Sequence, residues 1–151
     1  MSPNSDVIAP FLLMRAFRGL VDAVHESLAD AGFPGIRAQH EFALQAIGAG
    51  CTSVQLGERL GVTKQAATKT AHSLEAMGLI TRETNTSDRR ERTLTITTAG
   101  RRLLALSADA FCDELARWRR VAGDDAVTTT LTTLSQFGVG GRSDVDLSDW
   151  I

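Results

Sequence analysis

Within the stretch TKQAATKTAHSLEAM, Lys64, Gln65, Thr68, Lys69 and His72 recur at intervals of one, three, one and three residues. On a helix turning about 100° per residue, these five together with Glu75 and Ala76 fall inside an arc of about 140°. Ala67, Ala71 and Leu74 fall on the opposite side, with Thr70 and Met77 at its edge. The polar arc holds side chains able to read a DNA major groove. Lysine donates to guanine O6 and N7, glutamine pairs with the adenine edge, and a threonine methyl meets the thymine methyl. His72 suits a phosphate or a base edge. An ordinary solvated amphipathic helix has the same pattern, so a second feature must decide.

The second feature follows in the chain. The run TNTSDRRERTLTITTAG places Asp88, Arg89, Arg90 and Arg92 ahead of an alternation in which Leu94 and Ile96 are apolar and Thr93, Thr95 and Thr97 polar. Leu79 to Glu83 and Arg92 to Thr97 read as two strands around the turn formers Asn85 to Asp88. A hairpin directly after a reading helix is a wing. Its arginine tip suits the negative potential of a neighbouring minor groove. Asp88 would be repelled by phosphate, so it is expected to orient a wing arginine or accept from a turn amide.

Elements that would position these residues are legible on either side. Thr63 is an N-cap for the reading helix. The helix before it starts at a capping box, Thr52-Ser53-Val54-Gln55, and stops at Gly61. A helix from Arg37 to Ala49 precedes that one. Two long helices flank the set. Val7 to Ala31 carries the seam Phe17, Val21, Val24 and Leu28, extended backwards by Val7, Phe11 and Met14. Roughly Ala99 to Val121 carries Leu103, Leu106, Ala110, Cys112, Leu115 and Trp118. A last helix opens on Asp124 and Asp125, where carboxylates favour the positive helix end, and bears the stripe Val127, Leu131, Leu134 and Phe137. The tail from residue 138 reads as flexible by composition.

The chain has 151 residues and a formal net charge of -2. The total hides an asymmetry. Residues 63–102 hold eight basic and four acidic side chains, the remainder eight and fourteen. A basic segment in an acidic chain points to a surface for a polyanion, although a solvated charged loop has the same signature. There is no signal-peptide pattern and no apolar run near the roughly 18 residues of a membrane helix, so a cytoplasmic protein without a membrane partner is expected. The two cysteines and three histidines are too far apart for a metal motif, and no metal or cofactor is expected. No nucleophile–base pair or phosphate-binding glycine loop stands at workable spacing, which argues against an enzyme.

The run LGERLGVTKQAATKTAHSLEAMGLITRETNTSDRRERTLTITTAGRRLL resembles the winged helix-turn-helix core of the MarR family of bacterial transcriptional regulators. The likeness rests on Leu60-Gly61-Val62-Thr63, on Leu74-Glu75-Ala76-Met77-Gly78-Leu79, on Asp88-Arg89-Arg90 and on Ile96-Thr97-Thr98-Ala99-Gly100. It implies a mainly α fold with a small β-hairpin wing. Residues 37–98 would form the DNA-binding domain, and 7–36 and 99–151 a helical dimerisation region. It also implies a homodimer that binds double-stranded DNA, acts as a repressor and reads a near-palindromic operator. The readers would be Thr63, Lys64, Gln65, Thr68, Lys69 and His72 in the major groove, with Arg89 or Arg90 in the minor groove. Gly57 and Thr70 depart from the family pattern, where alanine and an aliphatic residue are usual, and are expected to loosen the motif slightly.

Many members of that family answer to a small aromatic or phenolic acid held between the two regions. Arg15, Arg18, His25, Arg37, His40 and Phe42 are the candidates for such a pocket, near Phe11, Phe17 and Phe33. A basic group among aromatics holds a carboxylate; the competing reading makes the aromatics core and the arginines solvated. Cys51 precedes a helix N-terminus, where the dipole would lower its pKa, making it the candidate redox residue. Cys112 is expected to pack. A winged helix that binds protein instead of DNA is the alternative, disfavoured by the basic excess on the reading face.

Overall fold

A computed structural model describes residues 3–84 and 91–137, with side chains from residue 6 onward. The wing tip with Asp88, Arg89 and Arg90, and the tail from residue 138, lie outside the described residues. A 3-10 segment, Pro3–Ile8, leads into α1 (Ala9–Asp30). Then follow α2 (Ala38–Ile47), β1 (Cys51–Thr52), α3 (Ser53–Leu60), α4 (Lys64–Ala76), β2 (Ile80–Thr84), β3 (Arg92–Ile96), α5 (Thr98–Ala122) and α6 (Asp124–Gln136).

The three strands form one antiparallel sheet in the order β1-β3-β2, with Cys51 opposite Leu94 and Ile80 opposite Ile96. The two longer strands match the alternation in the sequence. The short first strand was not foreseen: two residues between Gly50 and a helix cap are too few to show a period.

One core joins the helices to the sheet. Leu28 of α1, Leu44 and Ile47 of α2, Leu56 of α3, Leu74 of α4, Ile80 and Leu94 of the sheet and Leu103 of α5 are all fully buried in it. Glycine shapes two approaches. Gly61 ends α3 in the left-handed region at φ 65°, which only glycine adopts cheaply. Gly57 is buried against the following turn, where a Cβ would stand 3.1 Å from the Val62 carbonyl oxygen. Its lack of a side chain therefore brings α3 and the turn together, where the sequence suggested a loosening.

The apolar seams of the flanking helices are only partly used within the chain. Val21, Val24 and Leu28 are buried, but Phe11, Met14 and Phe17 on the same helix are exposed. Val127 is buried on α6, while Leu131, Leu134 and Phe137 are exposed. Cys112, expected to pack, is exposed on α5; mid-helix position says nothing about which face a residue occupies. No helix among the described residues is long and apolar enough to cross a membrane.

Candidate nucleic-acid interface

The geometry of α3 and α4 is set by local hydrogen bonds. Thr52 caps α3 by accepting from Gln55 N–H at 3.2 Å, and Gln55 Oε1 accepts from Thr52 N–H at 2.9 Å. This is the reciprocal cap read from the sequence. After Gly61, Val62 N–H donates to Gly57 O at 2.9 Å. Thr63 then turns extended, and its Oγ1 accepts from Ala66 N–H at 3.1 Å, starting α4. One backbone donor at each helix start is thus capped, and α3 and α4 are joined by the three residues Gly61, Val62 and Thr63.

On α4 the small residues Ala67 and Ala71, with Leu74, are fully buried. Lys64, Gln65, Lys69, His72, Glu75 and Ala76 are exposed, and Thr68 is half-buried. The sequence-derived faces are therefore reproduced, Thr68 being less exposed than its neighbours on the outward arc. Thr63 is exposed and doubles as the helix cap.

Two connections hold α4 in place. On one flank, Glu75 Oε2 lies 2.7 Å from Arg82 Nε of β2. The pair is a Coulombic contact without hydrogen-bond geometry, and the buried Nε and Nη2 of Arg82 have no hydrogen-bond partner among the described residues. On the other flank, Ser73 Oγ lies 3.1 Å from His40 Nε2 of α2. His40 Nδ1 accepts from Arg37 N–H at 3.1 Å, so in the neutral ring the proton sits on Nε2 and is donated to Ser73. Burial pushes the His40 pKa down, and the nearby Arg37 and His25 push it the same way.

The candidates for a ligand pocket do not converge on one cavity. Arg37 and His40 line a cleft of about 530 Å³ between α2 and α4, together with Gln39, Lys69, Thr70 and Ser73. His25 turns elsewhere: its Nε2 lies 2.7 Å from Glu41 Oε2, and the other Glu41 oxygen accepts from Ser107 Oγ. Glu41 is buried and ties α1, α2 and α5 together. Arg15, Arg18 and Phe42 are exposed. Cys51 is buried in β1, and burial pushes its thiol up against the weaker downward pull of Arg59. This reverses the direction expected from a nearby helix start: Cys51 points into the core. Among the described residues no group of histidine, cysteine and carboxylate side chains is placed to hold a metal. Glu41, Ser73 and Ser107 escaped the sequence reading, because their partners lie far along the chain; Arg82 escaped it because its partner Glu75 stands on a different element.

Helices α3 and α4 followed by the β2–β3 hairpin define a winged helix-turn-helix. A model described as MarR family matches residues 42–91. Comparison with curated proteins gives no match. Among solved structures, the chain is similar to the reduced form of MarR from E. coli, at 23% identity and a TM-score of 0.70, over 84% of this chain and 93% of that one. It is similar to the transcriptional repressor CouR bound to a 23-mer DNA duplex, at 20% identity and a TM-score of 0.71, over 89% and 94%. It is similar also to CouR from Rhodococcus jostii RHA1 bound to p-coumaroyl-CoA, at 22% identity and a TM-score of 0.60, over 83% and 88%. At these identities the solved structures speak for the fold alone, and the family model covers less than half of the chain. The chain thus shares the fold of these structures, and its residues 42–91 match the MarR family model.

Proposed function

We propose that this chain is a MarR-family transcriptional regulator and not an enzyme, a cytoplasmic homodimeric repressor that releases a near-palindromic operator on binding a small aromatic or phenolic effector. The carrying observation is the outward face of α4, where Lys64, Gln65, Lys69 and His72 stand exposed over a buried backing of Ala67, Ala71 and Leu74. The small backing residues let α4 sit close to its support while its polar face projects. Lys64, Gln65, Thr68 and Lys69 read base edges from the first turns of the helix, Thr63 and His72 add contacts at the ends of the reading face, and Arg89 or Arg90 enters the minor groove with Asp88 as its orienting partner.

The dimer reading draws on apolar surface the single chain leaves uncovered. Phe11 is 62% exposed and Phe137 is 77% exposed. An apolar cleft of about 440 Å³ lies between α5 and α6, lined by Trp118, Val121, Leu131 and Leu134. Contiguous apolar surface of this kind marks an interaction site. Residues 7–36 and 99–151 would supply the dimer contacts and 37–98 the DNA contacts. Two reading helices related by a two-fold axis engage half-sites about 10 base pairs apart. The bound p-coumaroyl-CoA in a similar structure supports an aromatic acid or its thioester as the effector class.

The test is selection of bound DNA from a random pool by the full chain, with the mass of the complex measured by light scattering. A near-palindromic consensus held by two chains is expected. A chain that stays monomeric and enriches no sequence would overturn the proposal.

A further inference from the structure

Two consecutive residues of α2 make connections that base reading by α4 does not itself require. Glu41 is buried, and its two carboxylate oxygens go to different helices. Oε2 lies 2.7 Å from His25 Nε2 of α1, and Oε1 accepts from Ser107 Oγ of α5. An ionised carboxylate only accepts, so His25 Nε2 carries a proton in this contact. The neighbouring His40, also buried, has its Nε2 3.1 Å from Ser73 Oγ of α4. Side chains one residue apart on a helix diverge by about 100°. The start of α2 therefore holds α1 and α5 with one side chain and α4 with the next.

These contacts are directional, and the apolar core around them is not. Leu28, Leu44, Ile47 and Leu103 bring α1, α2 and α5 together, but apolar burial alone does not set one orientation. Losing either donor leaves a buried carboxylate oxygen unsatisfied, which is costly. Helix α4 has a second attachment as well. The Gly78 carbonyl, just beyond its end, accepts from Thr97 Oγ1 at 2.7 Å, at the start of α5. One attachment lets a helix swing. A second at Ser73, more than one turn earlier, fixes its direction.

We infer that Glu41 and His40 are positioning residues for DNA reading. They pass the placement of α1 and α5 on to α4, and so set the distance between the two reading helices of a dimer. Neither touches DNA; both act through Ser73. The inference rests on the homodimeric DNA reading proposed above.

The full chain carries the test, as wild type, Ser73→Ala, Ser107→Ala and the double variant. Each single change deletes one hydroxyl, at one end of the link. Glu41→Gln is the conservative control, since glutamine still accepts from Ser107 and reaches His25. Circular dichroism checks folding. Affinity is measured on duplexes selected by the wild type, carrying one half-site, both half-sites, or both with their spacing changed by one base pair. On one half-site the serine variants are expected to stay within about twofold of wild type. On the full operator they should bind at least about fivefold more weakly and lose the discrimination between spacings. The double variant should lose no more than either single one, because a link cut twice is still one broken link. Glu41→Gln should behave as wild type.

A second arm needs no DNA. Spin labels at Cys112, exposed on α5, and at exposed Ala66 through Ala66→Cys report the distance from α5 to the start of α4. Labelled chain is diluted in unlabelled chain so that the distance is read within one molecule. The distribution should broaden in both serine variants and keep its width in Glu41→Gln. Wild-type spacing discrimination, additive losses in the double variant, or unbroadened distances would each overturn the inference. A wild type that binds no duplex would remove the regulator reading, and the label distances would then decide by themselves whether Glu41 and His40 position α4.

Discussion

Gly100 in the first turn of α5 lies directly beneath the Leu79 carbonyl, so close that a Cβ there would overlap the Leu79 oxygen and the Ile96 Cγ2. The contact belongs to a tight junction. Thr97 Oγ1 donates to Gly78 O at 2.7 Å and accepts from Gly100 N–H at 3.1 Å, and Thr97 N–H donates to Leu79 O at 3.0 Å. The end of α4, the base of the hairpin and the start of α5 are thereby joined. Helix α4 and the β2–β3 hairpin keep one relative position because they share this joint.

Gly100→Ala is expected to destabilise the chain. Alanine in a helix is normally favoured over glycine by roughly 0.5–1 kcal/mol. Here overpacking against backbone outweighs that gain, for a net loss of about 1–3 kcal/mol. Urea denaturation followed by circular dichroism measures it. An unchanged or higher midpoint would show that the junction is looser than described.

The wing arginines should separate affinity from folding. Arg89→Ala and Arg90→Ala are each expected to weaken operator binding, with the log–log salt slope falling by roughly one unit per lost phosphate or groove contact. Stability in urea should stay within about 0.5 kcal/mol of wild type. Operator affinity unchanged in both variants would remove the wing from the mechanism.

What the sequence made legible was local. The faces of α4 followed from the helical period, the caps at Thr52 and Thr63 from residue type, and the wing strands from alternation. Each of these depends on neighbours a few residues away. The cleft and the clamp behind it depend on pairs far apart: His40 with Ser73, separated by 33 positions, and Glu41 with Ser107, separated by 66. No spacing rule reaches that far. Cys51 shows the same limit from another side. Its place before a helix suggested a reactive thiol, but its pairing opposite Leu94 in the sheet decides its environment. The uncovered apolar stripes of α1 and α6 were visible as periodicity, but not which part of each stripe the chain itself would bury.

Cys51 should be an inert thiol. The thiolate is the reacting species, and burial raises the pKa of this one. In a Cys112→Ser variant, which leaves Cys51 as the remaining cysteine, labelling by a disulfide reagent at pH 8 is expected to run at least about tenfold slower in the native chain than in denaturant. Peroxide should leave the DNA affinity of that variant intact. Rapid native labelling would restore the thiol as a redox candidate.

His40 gives the chain a stability term that disappears in acid. Its folded-state pKa lies below the ordinary value of 6.5, first through burial, then through Arg37 and His25, with Glu41 pulling weakly the other way. The unfolded chain therefore takes up the proton first as pH falls. The term is fully present above about pH 6.5 and is lost as pH drops through that value toward the folded pKa. Protonation also has a local consequence: a proton on Nδ1 would face the Arg37 N–H it now accepts from. The sharpest comparison is His40→Gln. Glutamine at the third position of a helix can accept from the capping residue's N–H without titrating. The variant should keep α2 intact while losing part of the fall in urea midpoint that wild type shows between pH 7 and pH 5. Equal acid sensitivity in the two proteins would place the titrating group elsewhere.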